Sequence, residues 1–133
     1  MKKNNNKGFT LAELLIVVAI IAVLVAVAIP VFTSQLERAR DATSVANMRS
    51  AYAEAQVSLL TGEDVGNADY DVTDGSGTIT VSPVIIKSQQ SNEWSGVAAD
   101  LPFTAPGDTG LNKNDASMVF TYQNDELTGV TIS

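Results

Sequence analysis

The sequence predicts an α+β fold: a long N-terminal α-helix, membrane-spanning in its first half and amphipathic in its second, packed on a small antiparallel β-sheet. Three observations predict it. Residues from Leu14 to Ile29 form an unbroken apolar run, which with its flanks approaches the roughly 20 residues a bilayer crossing needs. From Phe32 to Leu60, apolar and small residues recur at alternating steps of four and three, the spacing of one helical stripe. Beyond Thr61-Gly62 the pattern changes to period-two alternation punctuated by turn residues, the sign of strands.

Counted from Phe9, the helix runs about 53 residues, or about 80 Å at 1.5 Å per residue. No small domain can bury such a rod, so its first half, residues 9–32, is expected in lipid or among copies of itself. Pro30 has no amide hydrogen and its ring meets the carbonyl of Ala26, so a bend or frayed turn is expected there. In the second half, residues 33–61, the stripe is Phe32, Leu36, Ala39, Thr43, Ala46, Ser50, Ala53, Val57 and Leu60, widened by Val45, Tyr52 and Leu59. This stripe is expected to face the sheet, with Glu37, Arg38, Asp41, Asn47 and Glu54 on the solvated side. The small residues Ala39, Ala42, Ala46 and Ala53 are read as permitting close helix-to-sheet packing rather than as a subunit interface. Gly62 should close the helix as a left-handed residue.

Residues 63–133 read as the sheet domain. Ile79 and Val81 alternate with Thr78, Thr80 and Ser82 after the turn signal Asp74-Gly75-Ser76-Gly77. Pro83 should end that strand or place it at an edge, and Val84-Ile85-Ile86 is a candidate additional strand. Met118, Phe120 and Tyr122 share one face. Across the polar link Gln123-Asn124-Asp125-Glu126, Val130 and Ile132 share another, which predicts a C-terminal hairpin. Between Ser88 and Ala116 a structureless loop would be uncommonly long, so short strands or a turn of helix are expected.

At the N-terminus, Lys2, Lys3 and Lys7 precede Gly8-Phe9, and Glu13 is the only charge in the apolar run that follows. An acid at the centre of a membrane helix costs about 2.5–3.5 kcal/mol on insertion scales, so it calls for a partner. Cutting the chain between Gly8 and Phe9 would supply one, an α-amine four residues before Glu13 and opposite in charge.

The segment Lys7-Gly8-Phe9-Thr10-Leu11-Ala12-Glu13, with the apolar run and Pro30, resembles the cleavage and methylation signature of type IV pilins and pseudopilins. The resemblance covers residues 1 to about 40 and extends in general shape to about 62. It implies removal of the leader, residues 1–8, by a membrane-embedded prepilin peptidase acting after Gly8, and N-methylation of Phe9 by the same enzyme. It further implies that Glu13 pairs with the Phe9 amine of a neighbouring copy. Copies would stack into a homopolymeric filament, driven by an assembly ATPase and a platform membrane protein. The precursor would sit in the cytoplasmic membrane with its leader inside and C-terminus outside. It would then join an extracellular filament serving adhesion, motility or DNA uptake. Two positions depart from the family pattern. Ala12 replaces a larger aliphatic residue, and Ala22 stands where many relatives carry a helix-loosening Gly.

Composition narrows the chemistry. The chain has 8 basic and 15 acidic side chains, and loss of the leader takes three of the basic ones with it. An acidic subunit is not expected to bind nucleic acid directly, since that binding runs on clustered Lys and Arg. Without His or Cys there is no thiol or Ser-His catalysis and no disulfide framework. No phosphate-binding Gly loop or nucleophile elbow is present, so the chain is read as a structural protein, not an enzyme, with no cofactor. Two acidic groups, Glu63, Asp64, Asp69, Asp71 and Asp74, and then Asp108, Asn112, Asn114 and Asp115, are weak calcium candidates without EF-hand spacing. Trp94 is read as a packing anchor.

The leading reading is thus a major pilin. A pseudopilin or minor pilin of a type II secretion or competence system is its alternative within the family. A membrane-anchored extracytoplasmic binding module is the alternative outside it. An ordinary secretory signal cut after Ala26-Val27-Ala28 is opposed by Glu13, which would lie within its apolar core.

Overall fold

The computed structural model describes residues 8–133. A single helix, α1, spans Leu11–Thr61. The sheet that follows is an antiparallel meander in the order β1-β2-β3-β4, formed by Ala68–Thr73, Ser76–Ile86, Lys113–Gln123 and Glu126–Ile132. The chain divides into two compact units between Gln35 and Leu36.

In the first unit the helix has no covered side. Of the large hydrophobic residues left exposed, all but Val57, Leu60 and Ile85 lie between Phe9 and Leu36. The helix contains a window long and apolar enough to cross a membrane, and none of that window is buried. α1 continues through Pro30 without interruption, so the frayed turn expected there is not present. The hydroxyls of Thr33 and Ser34 bond back to the carbonyls of Ile29 and Val31, each at 2.9 Å.

In the second unit α1 lies on one face of the sheet. Ile79, Val81, Ala116, Met118, Phe120 and Tyr122 project from that face against Val45, Met48, Ala51 and Ala55. Tyr52, Phe103 and Phe120 form an aromatic trio with centroids 5.1–6.0 Å apart, the last two edge to face, a favourable quadrupole geometry. Burial, with a smaller contribution from Tyr52, pushes the Tyr122 hydroxyl up to about 12. The alternation expected in β2, β3 and β4 is observed, with Val130 and Ile132 facing the same way as Phe120 and Met118, their cross-strand partners.

Both hairpins turn through two residues with positive φ, Asp74-Gly75 and Asn124-Asp125. This type I′ geometry matches the right-handed strand twist. Gly77 is required for a different reason: a Cβ there would run into the Asp71 carbonyl on β1. Strand β1 was not expected. Its residues Asp69 and Asp71 read as loop acids, but they alternate with Ala68, Tyr70 and Val72, which pack inward. Pro83 does not end β2. It sits at a register shift between Val81 and Val84, beyond the last β1 partner, Ala68 opposite Val81. Its missing amide therefore leaves no ladder bond unmade. Val84-Ile85-Ile86 continues β2 rather than forming a separate strand.

The packing face of α1 is also corrected. The buried residues are Glu37, Asp41, Ser44, Val45, Met48, Ala51, Ala55 and Ser58, while Leu36, Ala39, Thr43, Ala46, Ser50, Ala53, Val57 and Leu60 are exposed. The stripe expected against the sheet thus faces outward, and two acids expected in solvent are covered. The reason is the loop between β2 and β3. Glu37 Oε1 accepts the Gln89 and Gln90 amides at 2.7 and 2.9 Å, and Arg40 reaches Oε2 at 3.3 Å. Asp41 accepts the Ser95 hydroxyl through one oxygen, and its other oxygen has no partner. Ser44 accepts the Lys87 amide at 2.8 Å.

That loop contains the expected turn of helix, a 3₁₀ segment at Glu93–Asp100, entered through the left-handed residues Glu93, Trp94, Ser95 and Gly96. Each left-handed non-glycine residue costs about 1–2 kcal/mol, so outside contacts must fix them. Asp108 supplies several, accepting the amides of Trp94 at 2.9 Å and Asn92 at 3.3 Å. Trp94 is buried, its indole N–H donated to the Pro106 carbonyl at 2.9 Å.

Burial pushes the Glu37 carboxyl up, but the two loop amides and Arg40 outweigh it and hold it below the ordinary value of 4.5. A group with a lowered folded pKa contributes stability above its unfolded value and loses it as pH falls through the folded one. Thermal unfolding of the full-length chain in detergent should therefore occur at lower temperature as pH falls below about 4.5. Glu37→Gln should cost about 1.5–3 kcal/mol near neutral pH, the range for hydrogen bonds to a charged acceptor, and should flatten that acid limb. An acid limb unchanged in the variant would count against this account of Glu37.

Candidate assembly site

The site is built at the start of α1. Thr10 precedes the first helical residue and its carbonyl accepts the Leu14 amide at 3.2 Å. Its hydroxyl accepts the Glu13 amide at 3.2 Å, and the Glu13 carboxylate accepts the Thr10 amide at 2.8 Å through Oε2. This reciprocal pair is a capping box, which satisfies two amides that the first helical turn leaves without partners. The negative carboxylate also sits at the positive end of the helix dipole. The spacing Thr-x-x-Glu is a sequence signature of this motif, and the reading of Glu13 as a lone acid passed over it.

Capping uses one carboxylate oxygen. Oε1 has no hydrogen-bond partner among the described residues, so Glu13 can hold Thr10 and still accept from a second donor. Phe9 lies before the helix and is 84% exposed. The i,i+4 relation expected between Phe9 and Glu13 within one helix therefore does not hold, because the helix begins two residues after Phe9. Gly8 is also exposed and outside the helix, and a Cβ there would meet nothing within 4 Å. Among the described residues nothing around Gly8 demands glycine. The rest of the leader, residues 1–7, lies outside the described residues.

The weak calcium candidates are not assembled into a site. Asp108 is committed to the Ser88 hydroxyl and to the amides of Asn92, Trp94 and Gly110, and Asn114 accepts from the Lys87 ammonium. Of the first acidic group, Asp64 accepts the Tyr70 amide at 2.8 Å, and Asp69 and Asp71 belong to β1. Among the described residues no three acidic side chains gather as metal ligands.

Residues 3–29 match the family model of the prokaryotic N-terminal methylation motif. The chain is 44% identical over 59 residues to the type IV major pilin protein PilA of Myxococcus xanthus, an overlap of 44% of this chain and 26% of that one. It is 34% identical over 84 residues to a fimbrial protein of Pseudomonas aeruginosa, covering 53% of this chain and 54% of the relative. It is 29% identical over 128 residues to fimbrial protein Q of Moraxella bovis, covering 92% and 82% of the two chains. The chain thus spans between about a quarter and about half the length of the first two relatives. No solved structure matches it significantly. The fold and the helix start define a helix-anchored α+β subunit with a capped, uncovered apolar terminus. The chain is thus similar to type IV pilins and carries the prokaryotic N-terminal methylation motif over residues 3–29.

The capping box predicts that Thr10→Ala loosens the helix start by about 1 kcal/mol. Amide hydrogen exchange at Glu13 in detergent micelles should speed up about fivefold, with residues beyond Pro30 unaffected. Unchanged exchange at Glu13 would show that the cap contributes nothing.

Proposed function

We propose that the chain is the major subunit of a type IV pilus, trimmed after Gly8, N-methylated at Phe9 and stacked with copies of itself into a surface filament. The carrying observation is the uncovered stretch from Phe9 to Leu36, helical from Leu11 onward. Apolar surface of that extent is stable only in lipid or against other apolar helices, and a polymer of this chain supplies the second environment. Lipid is as apolar as the helices themselves, so bulk hydrophobicity contributes little to leaving it and packing must help. A charge removed from water is costly unless paired. The free oxygen of Glu13 fits that need, offering a mature Phe9 amine of the next copy an acceptor without breaking the cap.

The proposed scission site is physically accessible. A peptidase binds extended chain, and the Gly8–Phe9 bond lies outside the helix with both residues exposed. The lack of any demand for glycine at position 8 among the described residues favours a demand imposed by the enzyme. On this reading the partners are the prepilin peptidase, an assembly ATPase and a platform protein, with lipid as the surroundings before assembly. Glu13 and Phe9 form the assembly pair and Pro30 a point of bending. The filament serves adhesion, motility or uptake. A pseudopilin role within a secretion or competence system is the second reading, and it predicts short periplasmic assemblies rather than sheared surface fibres.

Intact-mass measurement on filaments sheared from cells should give a chain beginning at Phe9 and carrying one added methyl group. Glu13→Gln keeps an acceptor for Thr10 but removes the charge. It should leave membrane insertion normal while lowering filament yield at least tenfold. Normal yield from that variant would overturn the pairing, and a native chain starting elsewhere would overturn the processing.

A further inference from the structure

The outward face of α1 beyond Leu36 is exposed, and the charges it carries, Arg38 and Arg49, are positive in a chain with an acidic balance. Ala39, Ala46 and Ala53 recur every seven residues along its centre, all exposed, and Arg38 and Arg49 flank them eleven residues apart, within about 20° on a helix of 3.6 residues per turn. Of the acids on this part of α1, Glu37 and Asp41 are buried and Glu54 is half-buried, accepting the Asn67 amide. Among the described residues neither Arg38 nor Arg49 forms an ion pair; Arg49 reaches the Asp100 carbonyl, at 3.4 Å.

The opposite sign is concentrated at one end of the sheet. The two hairpin turns lie side by side, with the Asp125 amide donating to the Gly75 carbonyl at 2.8 Å. Asp74, Asp125 and Glu126 are exposed there, and Asp71 is exposed on β1 close by. No Lys or Arg occurs between Arg49 and Lys87 or after Lys113, and Lys113 lies opposite Ile86 at the far end of β3 from the turns, so these carboxylates have no cation near them in sequence or at their end of the sheet. The two surfaces are also apart along the domain. Asn47 bonds to Ile85 and Arg49 to Asp100, whereas the turn end lies beyond Tyr122, which meets Gln56.

Resting on the pilin reading above, we propose that the Arg38 and Arg49 flank of α1 docks the acidic turn end, Asp71, Asp74, Asp125 and Glu126, of a second copy. The partner is committed by charge: the chain itself carries the complement of each surface. Because the two surfaces are different and separated, their pairing is head-to-tail and generates an open series rather than a closed dimer. The alanines at the centre of the face let the second copy approach the helix backbone closely. Exposed ion pairs contribute little cohesion each, so the contact sets register, and its sensitive probe is like-charge apposition, which is strongly unfavourable.

In cells making the full-length chain, Arg38→Glu with Arg49→Glu should lower sheared filament yield at least tenfold while processing and the membrane pool stay normal. Co-expressing a second chain with Asp71→Arg and Asp74→Arg should restore filaments containing both chains, and Asp125→Lys with Glu126→Lys should do the same from the other turn. Wild-type yield from the arginine double variant, or failure of both reversed chains to restore it, overturns the docking. A wild-type chain that forms no filament at all overturns the pilin reading instead.

Discussion

Every other feature depends on one constraint: nothing among the described residues covers the apolar half of α1. Between Phe9 and Leu36 every described residue is exposed, and the only charge in that stretch is used at the helix start. A domain with a conventional core would fold its apolar helix inward. Here the core is built without it, from the second half of α1, the sheet and the long loop, which leaves the first half to an environment outside the molecule. Lipid and a bundle of identical helices are the two environments that satisfy it.

The second half of α1 solves a different problem. Its sheet-facing side is not its most apolar side, because it must also anchor a loop of more than twenty residues. Glu37, Asp41 and Ser44 supply acceptors to backbone and hydroxyl donors of that loop, and Asp108 gathers the loop about itself. A charged acceptor makes a stronger hydrogen bond than a neutral one, which suits a segment containing four left-handed residues. The unpartnered oxygen of Asp41 is the cost of this arrangement, since a buried acceptor without a donor is destabilising.

At the helix start, one carboxylate makes the cap and, on the proposed pairing, has room for a second role that does not compete with it. The cap occupies one oxygen and orders the first turn. That order holds the second oxygen in a defined direction, which under the proposed pairing would pre-arrange it for the amine of another copy. A carboxylate on a frayed end would first have to be ordered, with a conformational entropy cost in each assembly step.

Local chemistry made much of the molecule legible in the sequence. The apolar run, the Gly62 stop, the alternation at Ile79, Val81, Met118, Phe120, Tyr122, Val130 and Ile132, and the turn residues at both hairpins act through spacing and backbone preference alone. The Glu13 carboxylate was visible for the same reason, although the Thr10 cap was overlooked. Tertiary structure alone decided which face of α1 is inside. Both faces carry alanines and aliphatics at helical spacing, and the choice follows from loop donors fifty residues away in the chain. It also decided that Asp69 and Asp71 belong to a strand, because only β2 beside them makes an inward face of Ala68, Tyr70 and Val72. Periodicity reports what one segment offers, whereas burial depends on which distant segment arrives to accept it.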